Sequence, residues 1–147
     1  MRASDIIQRT PATIDCADTI TAAAQLMDSA AVGALVVTDR DVPIGIVTDR
    51  DLVVRAMARR LTPDARVDGV MTTGLHTLAA DADVRDALPI FRTHAVRRVP
   101  VVAGDHVIGM LTVDDLIVDI AGVLSDVARP VTGQVLFGHP EPGVPTT

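Results

Sequence analysis

The chain repeats itself. Displaced by 64 positions it lies over itself without a gap, so that Val37–Leu52 falls on Val101–Leu116. Ile44/Ile108, Gly45/Gly109, Thr48/Thr112, Asp51/Asp115, Leu52/Leu116 and Val54/Val118 are identical in the two copies. A unit used twice fixes the architecture more tightly than any other property of a sequence, and any site it carries is expected twice, about a pseudo-two-fold axis. One copy of about 60 residues buries too little surface to be secure alone. The two copies are therefore expected to pack sheet to sheet as one body.

Each copy reads as β-α-β-β-α, an α+β unit. A short extended piece around Thr13-Ile14 or Thr77-Leu78 leads into a helix. Its apolar positions are Ile20, Ala23, Ala24 and Met27 in copy one, and Val84, Ala87, Leu88 and Phe91 in copy two. Both sets follow the i, i+3, i+4, i+7 spacing of one buried helical stripe. Asp18 and either Asp81 or Asp83 are the expected N-caps. Two short apolar runs across a tight turn then read as a hairpin, Ala34–Val37 with Ile44–Val47 and Val99–Val102 with Ile108–Leu111. A second helix starts near Thr48 and Thr112. Its expected apolar positions are Leu52, Val53, Ala56 and Met57, against Leu116, Ile117, Ile120 and Val123 or Leu124.

The boundaries that follow are 4–60 for copy one, 61–67 for the linker, 68–124 for copy two and 125–147 for a Pro/Gly-rich tail. The end of that tail, Gly138–Thr147, is expected to be disordered or loosely laid on the surface. Pro89 sits inside the predicted first helix of copy two, so that helix either starts late or bends.

Composition narrows the function classes. The core is aliphatic, with no Trp, no Tyr and two Phe. A formal net charge of −6 argues against gripping a nucleic-acid backbone or an anionic membrane. The single cysteine, Cys16, allows no internal disulfide and fits a reducing cytoplasm. It has no C-x-x-C partner and reads as a packed thiol. His76, His94, His106 and His139 show no metal-ligand spacing, so no metal site is expected. Met27, Met57, Met71 and Met110 read as core.

The motif with chemical content is Gly-Φ-Φ-Thr-x-x-Asp, where Φ is apolar. It occurs as Gly45–Asp51 and Gly109–Asp115, each time at a strand-to-helix junction. One reading is purely structural: Thr caps the helix and the acids suit the positive end of its dipole. The other uses the same geometry for a ligand. Free N–H groups at a helix start hold phosphate, a carboxylate one turn in accepts ribose hydroxyls, and the glycine lets a flat base approach the backbone. Asp49/Asp51 and Asp114/Asp115 could pass for catalytic pairs. Their place at helix starts accounts for them without catalysis, and no enzyme is expected.

The tandem β-α-β-β-α units, the two Gly-Φ-Φ-Thr-x-x-Asp segments and the Val96–Val101 strand with Arg97, Arg98 and Pro100 resemble a pair of cystathionine-β-synthase (CBS) domains, a Bateman module, over roughly residues 4–124. The resemblance implies a regulatory cleft between the copies for AMP, ADP or ATP, with no cofactor required. Carried over, Asp51 and Asp115 would take ribose hydroxyls, and Thr48 and Thr112 ribose or phosphate. Thr13, Ile14, Thr77 and Leu78 would lie near base or sugar. Leu35-Val36 and Val99-Pro100 would wall the adenine. Arg97 and Arg98 would meet phosphate, to which a guanidinium fork is suited; as plain sequence they are equally solvated strand-edge arginines. The family also implies a homodimer with the helices in contact. A separate protein partner is implied too, since the chain has no effector domain of its own. Copy one has Gly33-Ala34 where copy two has Arg97-Arg98, which makes the Thr112/Asp115 site the stronger candidate for a phosphorylated ligand. The alternative is a structural stress-response protein that keeps the fold and binds nothing.

Overall fold

The computed structural model describes residues 1–7 and 10–136, with side chains described as far as residue 130. Residues 138–147, expected to be disordered or loosely held, lie outside the described residues. Residues 1–112 form one compact unit; the second begins at Val113.

The first unit opens with a short helix, α1 (Ala3–Ile6), followed by β1 (Thr13–Asp15), α2 (Ile20–Ala30), β2 (Ala34–Asp39) and β3 (Val42–Thr48). α3 (Asp49–Asp51) runs into a π-helical stretch, Leu52–Met57, and a 3-10 turn occupies Val67–Gly69. The second half repeats the order with β4 (Leu78–Ala79), a 3-10 turn Val84–Asp86 that continues as α4 (Ala87–His94), β5 (Arg98–Ala103) and β6 (His106–Thr112). The fold is α+β. Each half holds a three-stranded sheet, in order β1-β2-β3 and β4-β5-β6. The first pair in each is parallel and the second antiparallel. The register repeats as well, with Val37 opposite Gly45 and Val101 opposite Gly109, and a bulge directly after each pair. β3 of one sheet packs beside β6 of the other.

Local chemistry explains the boundaries. α2 is capped by Thr19, whose hydroxyl accepts from the Ala22 amide at 3.0 Å, and not by the expected Asp18. The Asp18 carbonyl instead accepts from the Val67 amide at 2.8 Å. Asp83 caps the 3-10 turn of the second half, accepting from the Arg85 amide at 2.9 Å. That turn delays α4 until Ala87, which leaves Pro89 in the first helical turn. There its missing N–H has no intrahelical bond to lose.

The apolar stripe of α2 buries Ala23 and Met27, while Ala24 faces solvent. In the second half Val84 and Ala87 are buried and Leu88 is exposed. The second helix of copy one departs further from expectation. Ala56 is buried, whereas Val53 and Met57 are exposed. A π-helical turn adds a residue per turn and rotates these positions off the core-facing stripe. Met57 is thus a surface residue.

The leading segments cross over. The Ala3 amide donates to Ala82 O (2.8 Å), Ser4 N to Ala80 O (3.0 Å) and Val84 N to Met1 O (3.0 Å). Sixty-four positions on, Val67 N donates to Asp18 O (2.8 Å), Asp68 N to Cys16 O (3.2 Å) and Ile20 N to Ala65 O (2.8 Å). Every bond has its counterpart. Residues 1–7 therefore complete the second half, and residues 65–72 complete the first. Val67 and Val70 sit in the hydrophobic core of the first half, beside Ile14, Leu35 and Val47.

The second unit is described by α5 (Val113–Leu136). Ser125–Leu136, read from the sequence as the start of a tail, continues this helix through Pro130. A proline forfeits one backbone hydrogen bond and kinks a helix without having to end it. Ile117, Ile120, Val123 and Leu124, expected on a buried stripe, are all exposed.

Candidate functional site

The Gly-Φ-Φ-Thr-x-x-Asp motif of copy one forms a capping box. The Asp51 amide donates to the Thr48 hydroxyl at 3.1 Å, and the Thr48 amide donates to Asp51 Oδ2 at 2.9 Å. Asp51 Oδ1 lies 3.6 Å from Arg55 Nε, one turn on. Arg55 in turn donates through Nη1 to Met71 O at 3.1 Å. Both carboxylate oxygens of Asp51 are thus engaged within the chain. In copy two, Thr112 ends β6 and Asp115 is the third residue of α5; both are half-buried.

The glycines serve a different purpose from the one expected of them. A Cβ on Gly45 would meet Thr72 O at 2.7 Å and Met71 Sδ at 2.8 Å. One on Gly109 would meet Ile7, with Cδ1 at 2.6 Å and Cγ1 at 2.8 Å. Ile7 and Met71 are equivalent residues of the two crossing segments. The space that an approaching base would use is filled by the chain itself. Ile46 and Thr72 add a two-way backbone bridge at this place, at 2.8 and 3.1 Å.

The halves differ at the strand-to-helix junction. The Asp49 carboxylate lies over Gly33, with Oδ2 3.0 Å from where a Cβ would stand, and the Asp49 amide donates to Gly33 O at 3.0 Å. Copy one thus has Gly33 and Asp49 where copy two has Arg97 and Val113, and Arg50 where copy two has Asp114.

The remaining candidates separate by burial. Thr13, Thr77, Arg97 and Arg98 are exposed, and Thr48 and Asp51 are half-buried. Ile14 and Leu78 are buried, and Leu35, Val36, Val99 and Pro100 have essentially no exposed surface. A base could reach these last four only by displacing what now covers them.

Cys16 is half-buried, and burial, followed by the nearby Asp15, Asp39 and Asp68 carboxylates, pushes its thiol pKa up, away from the reactive thiolate. His76 and His94, which share no sequence spacing, stack with ring centroids 3.5 Å apart. Among the described residues no three of His, Cys, Asp or Glu gather as a metal site requires. His139 lies outside them.

Asp83 ties the crossing N-terminus to the second half. Its carboxyl is held below the usual range, first by the Arg85 amide, against a burial effect that raises it, and then by the Met1 ammonium at 3.7 Å and Arg85. A depressed carboxyl pKa stabilises above its unfolded-state value, and that stability is lost as pH falls through the folded value. Asp83→Asn should therefore lower the melting temperature near pH ~7, and the gap to wild type should close toward pH ~3. Melts at the two pH values check this.

Sequence reasoning did not single out Arg55 or Ile7 as members of this region. The i, i+4 spacing of Asp51 and Arg55 was the available signal for the first. The contacts of Ile7 join parts of the chain too distant for any local pattern.

A duplicated α+β unit with the same Thr-x-x-Asp segment at both strand-to-helix junctions is the architecture of a tandem module. The CBS domain profile matches residues 3–57 and 67–122, and the chain belongs to the CBS domain family. Hypoxic response protein 1 of Mycobacterium tuberculosis is 33% identical over 101 residues, which cover 67% of this chain and 71% of that protein. The crystal structure of Hypoxic Response Protein I with two coordinated zinc ions superposes with a TM-score of 0.71 at 32% identity, covering 80% of this chain and 97% of that one. The CBS domain protein PAE2072 from Pyrobaculum aerophilum complexed with AMP gives 0.71 at 28%, covering 79% and 90%. Among the described residues no helix is long and apolar enough to cross a membrane.

Proposed function

We propose that this chain is a non-catalytic cytoplasmic sensor that binds one adenine nucleotide of the AMP, ADP or ATP class. It passes the signal to a separate protein or through its own homodimer. The ligand is assigned to the copy-two motif. Arg97 and Arg98 meet phosphate, Thr112 and Asp115 meet ribose, and Thr77 borders the sugar. The observation that carries this reading is the exchange of Gly33 and Asp49 in copy one for Arg97 and Val113 in copy two. The carboxylate of Asp49 over Gly33 repels phosphate from copy one, while Arg97 attracts it in copy two. The neighbour complexed with AMP supports the ligand class. Nucleotide can bias the module only by its difference in affinity between two arrangements.

Calorimetry with AMP, ADP and ATP should give one equivalent per chain. Arg97→Ala and Asp115→Ala should each weaken binding by about tenfold or more, as expected for a lost charge-assisted hydrogen bond. The double variant Gly33→Arg, Asp49→Val, which gives copy one the residues of copy two, should raise the count to two. With no Trp or Tyr, absorbance near 260 nm reports carried-over nucleotide directly. Two equal sites in the wild type, or an Asp115→Ala variant that binds normally, would overturn the assignment. A second reading, a scaffold without ligand, is favoured by the engaged oxygens of Asp51 and the buried Leu35-Val36 and Val99-Pro100 pairs. It predicts no heat with any of the three nucleotides.

A further inference from the structure

His76 and His94 form a pair that the fold does not require. Their rings stack with centroids 3.5 Å apart and an interplanar angle of 17°, and both residues are exposed. The equivalent positions in copy one are Ala12 and Ala30. There α2 ends as α4 does, on a left-handed alanine, Ala31 in place of Ala95. The same turn is thus made without the rings. The stack also belongs to one particular end of its sheet. β4 runs parallel to β5 with Leu78 opposite Val101, and Arg98 opens β5 opposite Thr112. His76 and Thr77 lead into β4, and His94 lies three residues before Arg97. All of them fall at the end of the β4-β5-β6 sheet where Thr112 closes β6. Phe91, in α4, is half-buried. His106 pairs with Ala103 at the opposite end of the sheet.

The strands of this half leave a flat base no room. Ile7 fills the space beside Gly109, and Val99 and Pro100 have essentially no exposed surface. We propose that His76 and His94 are the platform that reads the adenine of the copy-two ligand. The base extends the stack on the outer face of the pair while Arg97 and Arg98 hold phosphate. Bases stack on histidine as they do on other aromatic side chains. Two rings already face to face present that surface in order before a ligand arrives, and ordering done in advance is not charged to binding. One face of each ring is covered by the other, so what stays open is the outer face and the edge. Stacking reads the flat ring and takes no account of how many phosphates follow, which suits AMP, ADP and ATP alike. The alanines of copy one offer no such surface, so the base as well as the phosphate favours copy two. The inference rests on the nucleotide reading above and names what holds the base.

Calorimetry of the full chain with AMP and with ribose 5-phosphate separates base from phosphate. The double variant His76→Ala, His94→Ala should weaken AMP binding by about tenfold, as loss of a stacked base does, and leave ribose 5-phosphate unchanged. The double variant His76→Phe, His94→Phe should bind AMP as wild type does. Arg97→Ala should weaken both ligands. Since the chain has no Trp, His94→Trp adds a single indole reporter, whose emission AMP should quench and ribose 5-phosphate should not. Both residues are exposed, so each variant should melt as wild type does. An alanine pair that binds AMP normally, or that weakens both ligands alike, would overturn the platform and leave the nucleotide reading standing. Loss of AMP binding in the phenylalanine pair would trace the effect to the imidazole nitrogens and refute stacking. A wild type that binds no AMP would overturn the platform and the nucleotide reading together.

Discussion

Removing residues 1–7 will lower the melting temperature by about 10 °C or more, and the damage will appear in the second half. Three backbone hydrogen bonds tie this segment to Ala80, Ala82 and Val84, each worth about 1 kcal/mol net. Ala3 is fully buried, and Ile7 fills the space beside Gly109. The sum is about 4 kcal/mol, and about 3 °C accompanies each kcal/mol in a chain of this size. Hydrogen exchange locates the effect. The Val84 amide, which donates to Met1 O, should lose protection, while the equivalent Ile20 amide, which donates to Ala65 O, should keep it. Equal loss at both amides, or an unchanged melt, would show that the segment does not hold the second half.

Gly45→Ala and Gly109→Ala will both destabilise, by about 1–3 kcal/mol as overpacking usually does, but only one will be rescued. At Gly109 the obstruction is a side chain, so Ile7→Ala removes it and the double variant should recover most of the loss. At Gly45 the nearest atom is the Thr72 carbonyl oxygen at 2.7 Å, ahead of Met71 Sδ at 2.8 Å. That carbonyl also accepts from Ile46 N, so Met71→Ala clears the sulfur and leaves the backbone in place. A double-mutant cycle in denaturant should show strong coupling at Gly109 and weak coupling at Gly45. Equal rescue at the two sites would mean that residues 71–72 yield more easily than their hydrogen bonds suggest.

The repeat made the fold legible. Its matched apolar spacings gave the strands and both hairpins, because each of those is set by neighbours close in sequence. Thr48 and Asp51 were legible in the same way, as a capping box spans only four residues. The role of Gly45 and Gly109 was not, because what fills the missing Cβ arrives from 26 or more positions away. Cap choice went to Thr19 over Asp18 because the Asp18 carbonyl is committed to a crossing segment. The exposed aliphatic residues of α5 misled for a plainer reason. Periodicity shows that a face is apolar and is silent about whether the chain itself covers it.

The exchange of opening turns means that the sequence repeat and the folded half are different objects. A cut between residues 61 and 65 would release two pieces, each carrying a turn with nowhere to dock and each missing the turn that should seal its own sheet. Neither piece should stand alone, and mixing the two should reconstitute a stable whole. A single repeat expressed by itself could be sealed only by donating its turn to a twin.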